Sequence, residues 1–226
     1  MKVMVASPNN TGINNAYVTN ALAYNLYWLG RMGIEVTPPL SYDEHPISAA
    51  RNKICKEFLE KSDADYLFMY DADTVIPPFG IVTLIRAIKP VISGWYLSRK
   101  GSGLPVVLKR LSNRLMCNAK DFNNYQSLTL QEFNSLPSPL TQVDAVGAGC
   151  FLISRETLKK LKYPYFLEWH EGMPEDRHKF GEDLWFCERC AEAGVQVVVH
   201  KEVFCGHIAW TVLDTRYLIP QPPKDQ

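Results

Sequence analysis

The chain has 226 residues, a length at which α/β proteins commonly fold as one unit and bury roughly 70% of their unfolded surface. Apolar residues at 46% and charged residues at 21% are ordinary for a globular protein and exclude intrinsic disorder. Lysine plus arginine equals aspartate plus glutamate at 24 each, so net charge gives no case for a nucleic-acid or anionic-membrane partner.

Lys2 to Ala6 is a short apolar run closed by Ser7-Pro8-Asn9-Asn10, a strand opening into a loop. From Asn15 the spacing Val18, Leu22, Leu26, Leu29 is helical, and Gly30 and Gly33 supply the stop. Ile34 to Thr37 is a second strand ended by Pro38-Pro39, and Ser48 to Lys61 is a helix. Tyr66 to Tyr70 is uniformly apolar, as expected of a parallel strand buried on both faces. Pro77-Pro78 starts a helix bearing Ile81, Leu84, Ile85 and Ile88, and Val91 to Tyr96 is the next strand. Pro105–Arg110 and Arg114–Asn118 read as a hairpin, and residues 119–140 as a polar connection without periodicity. Val143 to Ser154 reads as a strand interrupted by Gly147 and Gly149, then a short helix from Arg155 to Leu161. After a loop over 163–180 come a helix at Glu182 to Ala193 and a strand at Val195 to His200.

Successive strand–helix units predict an α/β fold with an open mixed, mostly parallel sheet flanked by helices. One domain is expected over 1–218, with a disordered tail over 219–226. No segment approaches the roughly 20 apolar residues that span a bilayer. Only Val3 to Ala6 precedes Ser7-Pro8, too little for a secretory leader, so a cytoplasmic location is expected. Cys55, Cys117, Cys150, Cys187, Cys190 and Cys205 sit mostly in apolar surroundings and read as buried thiols of a reducing compartment.

The most informative stretch is Asp65 to Asp73, a buried strand ending in two carboxylates one residue apart. Ligands bind at the carboxyl ends of strands in open α/β sheets. In an extended stretch Asp71 and Asp73 point to one side and can converge on one cation. Mg²⁺ or Mn²⁺ accepts such ligands and leaves positions for phosphate oxygens. The bland alternative is a turn after a strand, where Asp is common.

Ser48-Ala49-Ala50-Arg51-Asn52, then Ala64 to Asp73, then Pro77-Pro78 resemble GT-A nucleotide-sugar-dependent glycosyltransferases of the family-2-like type. The likeness continues through Gly147 to Ile153, Gly181 to Phe186, and Cys205-Gly206-His207, in the family's order. It implies a GT-A (Rossmann-like) fold and transfer of a hexose from a nucleotide-diphosphate sugar to an acceptor hydroxyl. Asp71-Ala72-Asp73 would be the DxD motif that holds Mn²⁺ or Mg²⁺ on the donor diphosphate, with His207 as a third metal ligand. Ser7, Pro8 and Asn9 would hold the nucleotide, and Arg51 would clamp its phosphates. Asp183 would be the general base of an inverting transfer, with Glu182 contacting the acceptor. The acceptor would be a glycan, a lipid-linked or a protein hydroxyl, with peripheral membrane contact compatible and no nucleic acid involved.

Each assignment has a structural counterpart: a hydrogen-bonded histidine, dipole-favoured acids in a first helical turn, a solvated helix-face arginine. Gly147 to Gly149 could admit a sugar or form a β-bulge. Trp95 and Tyr96 could stack on a sugar, though core filling is commoner for such residues; His200 reads as structural. A competing class is the haloacid-dehalogenase-like phosphohydrolases, with Asp71 as nucleophile, Asp73 as acid/base and Ser93 as second motif. Against it, two strand–helix units precede the motif, and Glu182-Asp183 begin a helix. Cys187, Cys190, Cys205 and His207 faintly resemble a zinc site. A nucleotidyltransferase would need a glycine-rich loop where Ser7-Pro8-Asn9-Asn10 stands.

Overall fold

A computed structural model describes residues 1–9, 15–99, 103–111, 125–168 and 181–209. The first half runs β1 (Lys2–Pro8), α1 (Ala16–Arg31), β2 (Glu35–Val36), β3 (Leu40–Tyr42), α2 (Ile47–Lys61) and β4 (Tyr66–Tyr70), the alternation the sequence predicts with β3 as an unpredicted addition. Asn15 caps α1 by accepting the Tyr17 N–H, and Val18, Leu22 and Leu29 bury the predicted face. After β5 (Thr74–Val75), Phe79 adopts a left-handed φ of 61°, so α3 (Gly80–Arg86) starts after the proline pair and leads to β6 (Val91–Trp95).

The second half departs further from expectation. β7 (Val107–Arg110) pairs with β8 (Tyr125–Ser127) and later with β10; its predicted partner, 114–118, lies outside the described residues. The stretch read as an aperiodic connection contains β8 and α4 (Leu130–Ser135), which a Thr129/Glu132 capping box opens. The single interrupted strand expected over Val143–Ser154 resolves into β10 (Ala145–Val146) and β11 (Cys150–Ser154), preceded by β9 (Leu140–Val143), which overlaps it only at Val143. β10 belongs to a different sheet, so the chain leaves the main sheet after β9 and re-enters it through Gly147–Gly149 at β11. The chain is completed by α5 (Arg155–Lys160), α6 (Glu182–Glu192), β12 (Val197–Phe204) and β13 (Gly206–His207). The tail at 219–226 lies outside the described residues.

The main sheet has eight strands in the order β2–β1–β4–β11–β6–β12–β9, with β3 beside β2 on the same edge of β1. β1, β2, β3, β4, β6 and β12 run parallel, whereas β11 and β9 are antiparallel. Alternation along the strands splits the core in two. Val3, Val5, Phe68, Ile92 and Leu152 pack with α1 and α3. Met4, Ala6, Leu67, Met69, Phe151 and Ile153 pack with α2, α4, α5 and α6. This is the open mixed, mostly parallel sheet covered on both faces that the sequence predicts. Among the described residues no helix is long and apolar enough to cross a membrane.

The parallel strands β1, β4, β6 and β12 deliver their carboxyl ends, Pro8, Tyr70, Trp95 and Phe204, to one edge. Antiparallel β11 begins there, so Gly147–Gly149 enter the same edge. The chain segments named by the sequence motifs therefore meet where such sheets bind ligands.

Candidate active site

β5 and β13 form a two-stranded antiparallel ribbon pairing His207 with Thr74 and Gly206 with Val75. The Ile208 N–H donates to the Asp73 carbonyl at 2.8 Å, so main-chain bonds fasten His207 beside the acidic turn. His207 Nδ1 lies 2.8 Å from the Leu97 carbonyl oxygen. A carbonyl only accepts, so Nδ1 is the donor there, and Nε2 is the nitrogen available to a ligand when the ring is neutral. Nε2 is 3.7 Å from Asp73 Oδ1. An imidazole oriented by a backbone carbonyl and aimed at a carboxylate is a donor arrangement that suits a divalent metal.

The two aspartates lie close enough for their charges to interact, and each is also held by an arginine of its own. Asp71 Oδ1 accepts from Arg51 Nη2 at 2.7 Å, while Asp73 Oδ2 is engaged by the Arg99 guanidinium. Among the described residues no three His, Cys, Asp or Glu side chains form a ready-made cage. Asp73 and His207 are the facing pair, and a hard ion held by them would keep positions for water and phosphate oxygens. Burial raises the Asp73 carboxyl, helped by the charge of Asp71 and opposed by Arg99 and His207.

Arg51, on α2, is only 1% exposed. It donates from Nη2 to Asp71, from Nε to Glu182 Oε1 at 3.0 Å, and from Nη1 to the Ala148 carbonyl at 3.4 Å. The guanidinium thus ties the acidic turn to the start of α6, and its N–H groups face protein carboxylates in place of open solvent. The adjacent Asn52 braces the backbone of another segment. Its Oδ1 accepts the Tyr165 and Phe166 N–H groups at 2.9 and 3.1 Å, and its Nδ2 donates to the Phe166 carbonyl at 2.6 Å.

Gly181 precedes α6, and Asp183 Oδ1 accepts the Leu184 N–H at 2.8 Å. A methyl group on Gly181 would lie 2.5 Å from Asp183 Oδ1, so glycine is what lets that carboxylate fold back over the helix start. Desolvation, then the charge of Glu182, push the Asp183 carboxyl up to about 7, with Asp71 adding to the rise and the Leu184 N–H and Arg51 opposing it. A carboxylate poised near neutrality is suited to take a proton. Glu182, only 12% exposed, is held by Arg51.

Ser7 and Asn9 are buried at 1% and 2% exposure, and with Pro8 they form the end of β1 against β3. The Asn9 N–H donates to the Tyr42 carbonyl at 2.9 Å. Ser7 Oγ is buried without a hydrogen-bond partner. A methyl group on Gly147 would lie 2.2 Å from the Tyr96 hydroxyl oxygen, which accepts the Gly149 N–H at 3.0 Å. These glycines therefore admit the buried Tyr96 phenol. Trp95 packs on Phe133 and Phe204, so both aromatics fill the core.

The competing site readings lose their parts. Ser93 is fully buried and its hydroxyl bonds to the Gly94 and Cys150 carbonyls inside the sheet. Cys187 and Cys190 belong to one core and Cys205 to the other, across the sheet, so they cannot share a zinc ion. Sequence pattern did not single out Arg99 or the Leu97 carbonyl. Arg99 carried a usable signal: it is the first cation after β6, at the ligand-binding edge.

The mixed, mostly parallel sheet with helices on both faces and an acidic turn at its carboxyl edge has the GT-A fold. Among solved structures the chain is similar to A197 from STIV, at 20% identity over 92% of this chain and 86% of that one, with a TM-score of 0.57. It is similar to GalNAc-T7 with UDP, GalNAc and Mn²⁺, at 13% identity over 91% of this chain and 43% of that one, with a TM-score of 0.51. A Drosophila β1,4-galactosyltransferase 7 mutant with manganese, UDP-Gal and xylobiose matches at 14% identity over 100% of this chain and 76% of that one, with a TM-score of 0.50. These likenesses are of fold. No protein-family model and no curated protein matches the sequence.

Proposed function

We propose that the protein transfers a hexose from a nucleotide-diphosphate sugar to an acceptor hydroxyl, with inversion, using Mn²⁺ or Mg²⁺. The observation that carries this reading is His207, whose Nδ1 is held by the Leu97 carbonyl so that Nε2 is the nitrogen turned to Asp73 Oδ1, 3.7 Å away at the ligand-binding edge. Asp73 and His207 would hold the ion, with Asp71 contributing directly or through water. When bound, the metal would supply Lewis-acid neutralisation of the diphosphate leaving group. Ser7, Pro8 and Asn9 would hold the nucleotide, with the backbone of Ala72 alongside its phosphates.

Asp183 takes the proton of the acceptor hydroxyl as that oxygen bonds to the sugar's anomeric carbon and the bond to the diphosphate breaks. Glu182 flanks the acceptor, and Arg51 acts through Asp71 and Glu182 by fixing their spacing. The acceptor is a glycan, lipid-linked or protein hydroxyl. The described cysteines, Cys55, Cys150, Cys187, Cys190 and Cys205, are all free and buried, which suits a cytoplasmic protein.

The test is a thermal-shift screen of nucleotide sugars with and without Mn²⁺, then donor hydrolysis and transfer assays on the ligand that stabilises most. Asp71→Asn and Asp73→Asn should abolish metal-dependent turnover. Undiminished turnover by Asp71→Asn in the presence of chelator overturns the proposal.

A further inference from the structure

We propose that Arg99 is a diphosphate-binding residue, parked on Asp73 until that carboxylate takes up a divalent metal. The inference rests on the metal-site reading above and assigns a role to a residue outside it. Arg99 lies just beyond β6 at the ligand-binding edge, and its side chain is 55% exposed. Its guanidinium engages Asp73 Oδ2, while the other oxygen of the same carboxylate faces His207 Nε2 at 3.7 Å. One carboxylate thus carries a guanidinium on one oxygen and a metal-type ligand on the other. A divalent ion between Asp73 and His207 would stand a few ångströms from that guanidinium, and like charges at such range repel. The exposed side chain is free to leave; the backbone beneath it is not. The Leu97 carbonyl accepts from His207 Nδ1, Leu97 bridges to Pro105, and the Ser98 N–H donates to the Leu104 carbonyl at 2.9 Å. A released Arg99 therefore stays at the mouth of the site. Its planar fork, which grips a carboxylate, fits phosphate oxygens equally well. The exchange keeps the charge in balance, because Asp73 trades one cation for another while the freed cation meets the anion that accompanies the metal.

Titration calorimetry with Mn²⁺ alone, and then with UDP, GDP or ADP in excess Mn²⁺, tests this on wild type, Asp73→Asn, Arg99→Ala and Arg99→Lys. Arg99→Ala should bind Mn²⁺ about two- to fivefold more tightly, the scale of losing an exposed ion-pair competitor. It should bind the preferred nucleoside diphosphate about tenfold more weakly, the scale of one charge-assisted hydrogen bond. Arg99→Lys should recover part of the nucleotide affinity. The opposite signs separate this role from a structural one, which would weaken both ligands or neither. Unchanged or weaker Mn²⁺ binding by Arg99→Ala, or unchanged nucleotide binding, overturns the proposal. If Asp73→Asn binds Mn²⁺ as wild type does, or wild type binds none of the three nucleotides, the underlying site reading itself fails. Loss of Mn²⁺ by Asp73→Asn with no change in Arg99→Ala leaves that reading standing and removes only the Arg99 inference.

Discussion

Replacing Arg51 by methionine probes the centre of the site. The substitution keeps most of the side-chain volume and removes the cation between Asp71 and Glu182, whose side chains are 25% and 12% exposed. Removing one partner of a buried ion pair costs about 3–5 kcal/mol, since the remaining charge stays desolvated. Asp71 keeps a quarter of its surface in water, so the loss should fall near the lower end, about 3 kcal/mol, against a total stability of about 5–15 kcal/mol. Adding Glu182→Gln to Arg51→Met removes the more deeply stranded charge and should recover part of the loss, with a coupling of about 1–3 kcal/mol. Arg51 also opposes the rise of the Asp183 carboxyl, so without it that group moves above about 7 and the acid limb of the rate profile shifts upward. Urea denaturation at pH 8, monitored by tryptophan fluorescence, gives the stabilities, and transfer rates against pH give the second effect. Arg51→Met within about 0.5 kcal/mol of wild type, the range of an ordinary surface substitution, would refute the reasoning, as would an unmoved acid limb.

Three other substitutions test separate parts of the structure. The folded state raises the Asp183 carboxyl from 3.8 to about 7, so it holds a proton the unfolded chain lacks between those values. Stability should therefore fall as pH rises through that window and level off above it; Asp183→Asn should flatten the slope measured by denaturation at pH 5 and 8, keep nucleotide affinity and lose transfer. Gly147→Ala places a methyl group 2.2 Å from the Tyr96 hydroxyl and should cost about 1–3 kcal/mol of overpacking, partly relieved in thermal melts by adding Tyr96→Phe. Arg110→Met removes the cation from Glu188, which is fully buried and accepts from Arg110 Nη2 at 2.9 Å but keeps the Tyr125 hydroxyl, and should cost about 3 kcal/mol in urea melts, recovered in part by Glu188→Gln.

What the sequence revealed depended on the length scale of the signal. β4 matches its predicted bounds, Tyr66 to Tyr70, because a five-residue apolar run ending in charge has one sensible reading. α2 and α6 were legible for a similar reason: each spans several turns of apolar periodicity. The two-residue strands β5 and β13 carry no periodicity at all, yet their pairing delivers His207 to Asp73. α4, six residues long, was equally silent to periodicity, although Thr129 and Glu132 spelled a capping box that could have been read. The candidate site residues stood out in the sequence by identity and not by partner. Arg51, Asp71 and Glu182 all stood in recognisable motifs, but that one guanidinium would join the two acids depends on α2, β4 and α6 meeting in three dimensions. Only long-range packing decides this, and local pattern does not encode it.

The placement of α6 is fixed by two such long-range pairs. Arg51 from α2 holds Glu182 in the first turn, and Arg110 from β7 holds Glu188 further along the helix. Both carboxylates are largely removed from water, and the two arginines come from separate elements of the fold. Sliding or rotating α6 would strand one of these charges, at a cost of several kcal/mol. The helix therefore serves as a fixed mount for Asp183, and its first turn is tied to Asp71 through a single guanidinium. Any adjustment on ligand binding must come from side chains that can move without exposing a buried charge. Among the cations paired with the acidic turn, Arg51 is sealed at 1% exposure while Arg99 is 55% exposed, so a fixed charge pair and a solvent-accessible one stand side by side at the same turn.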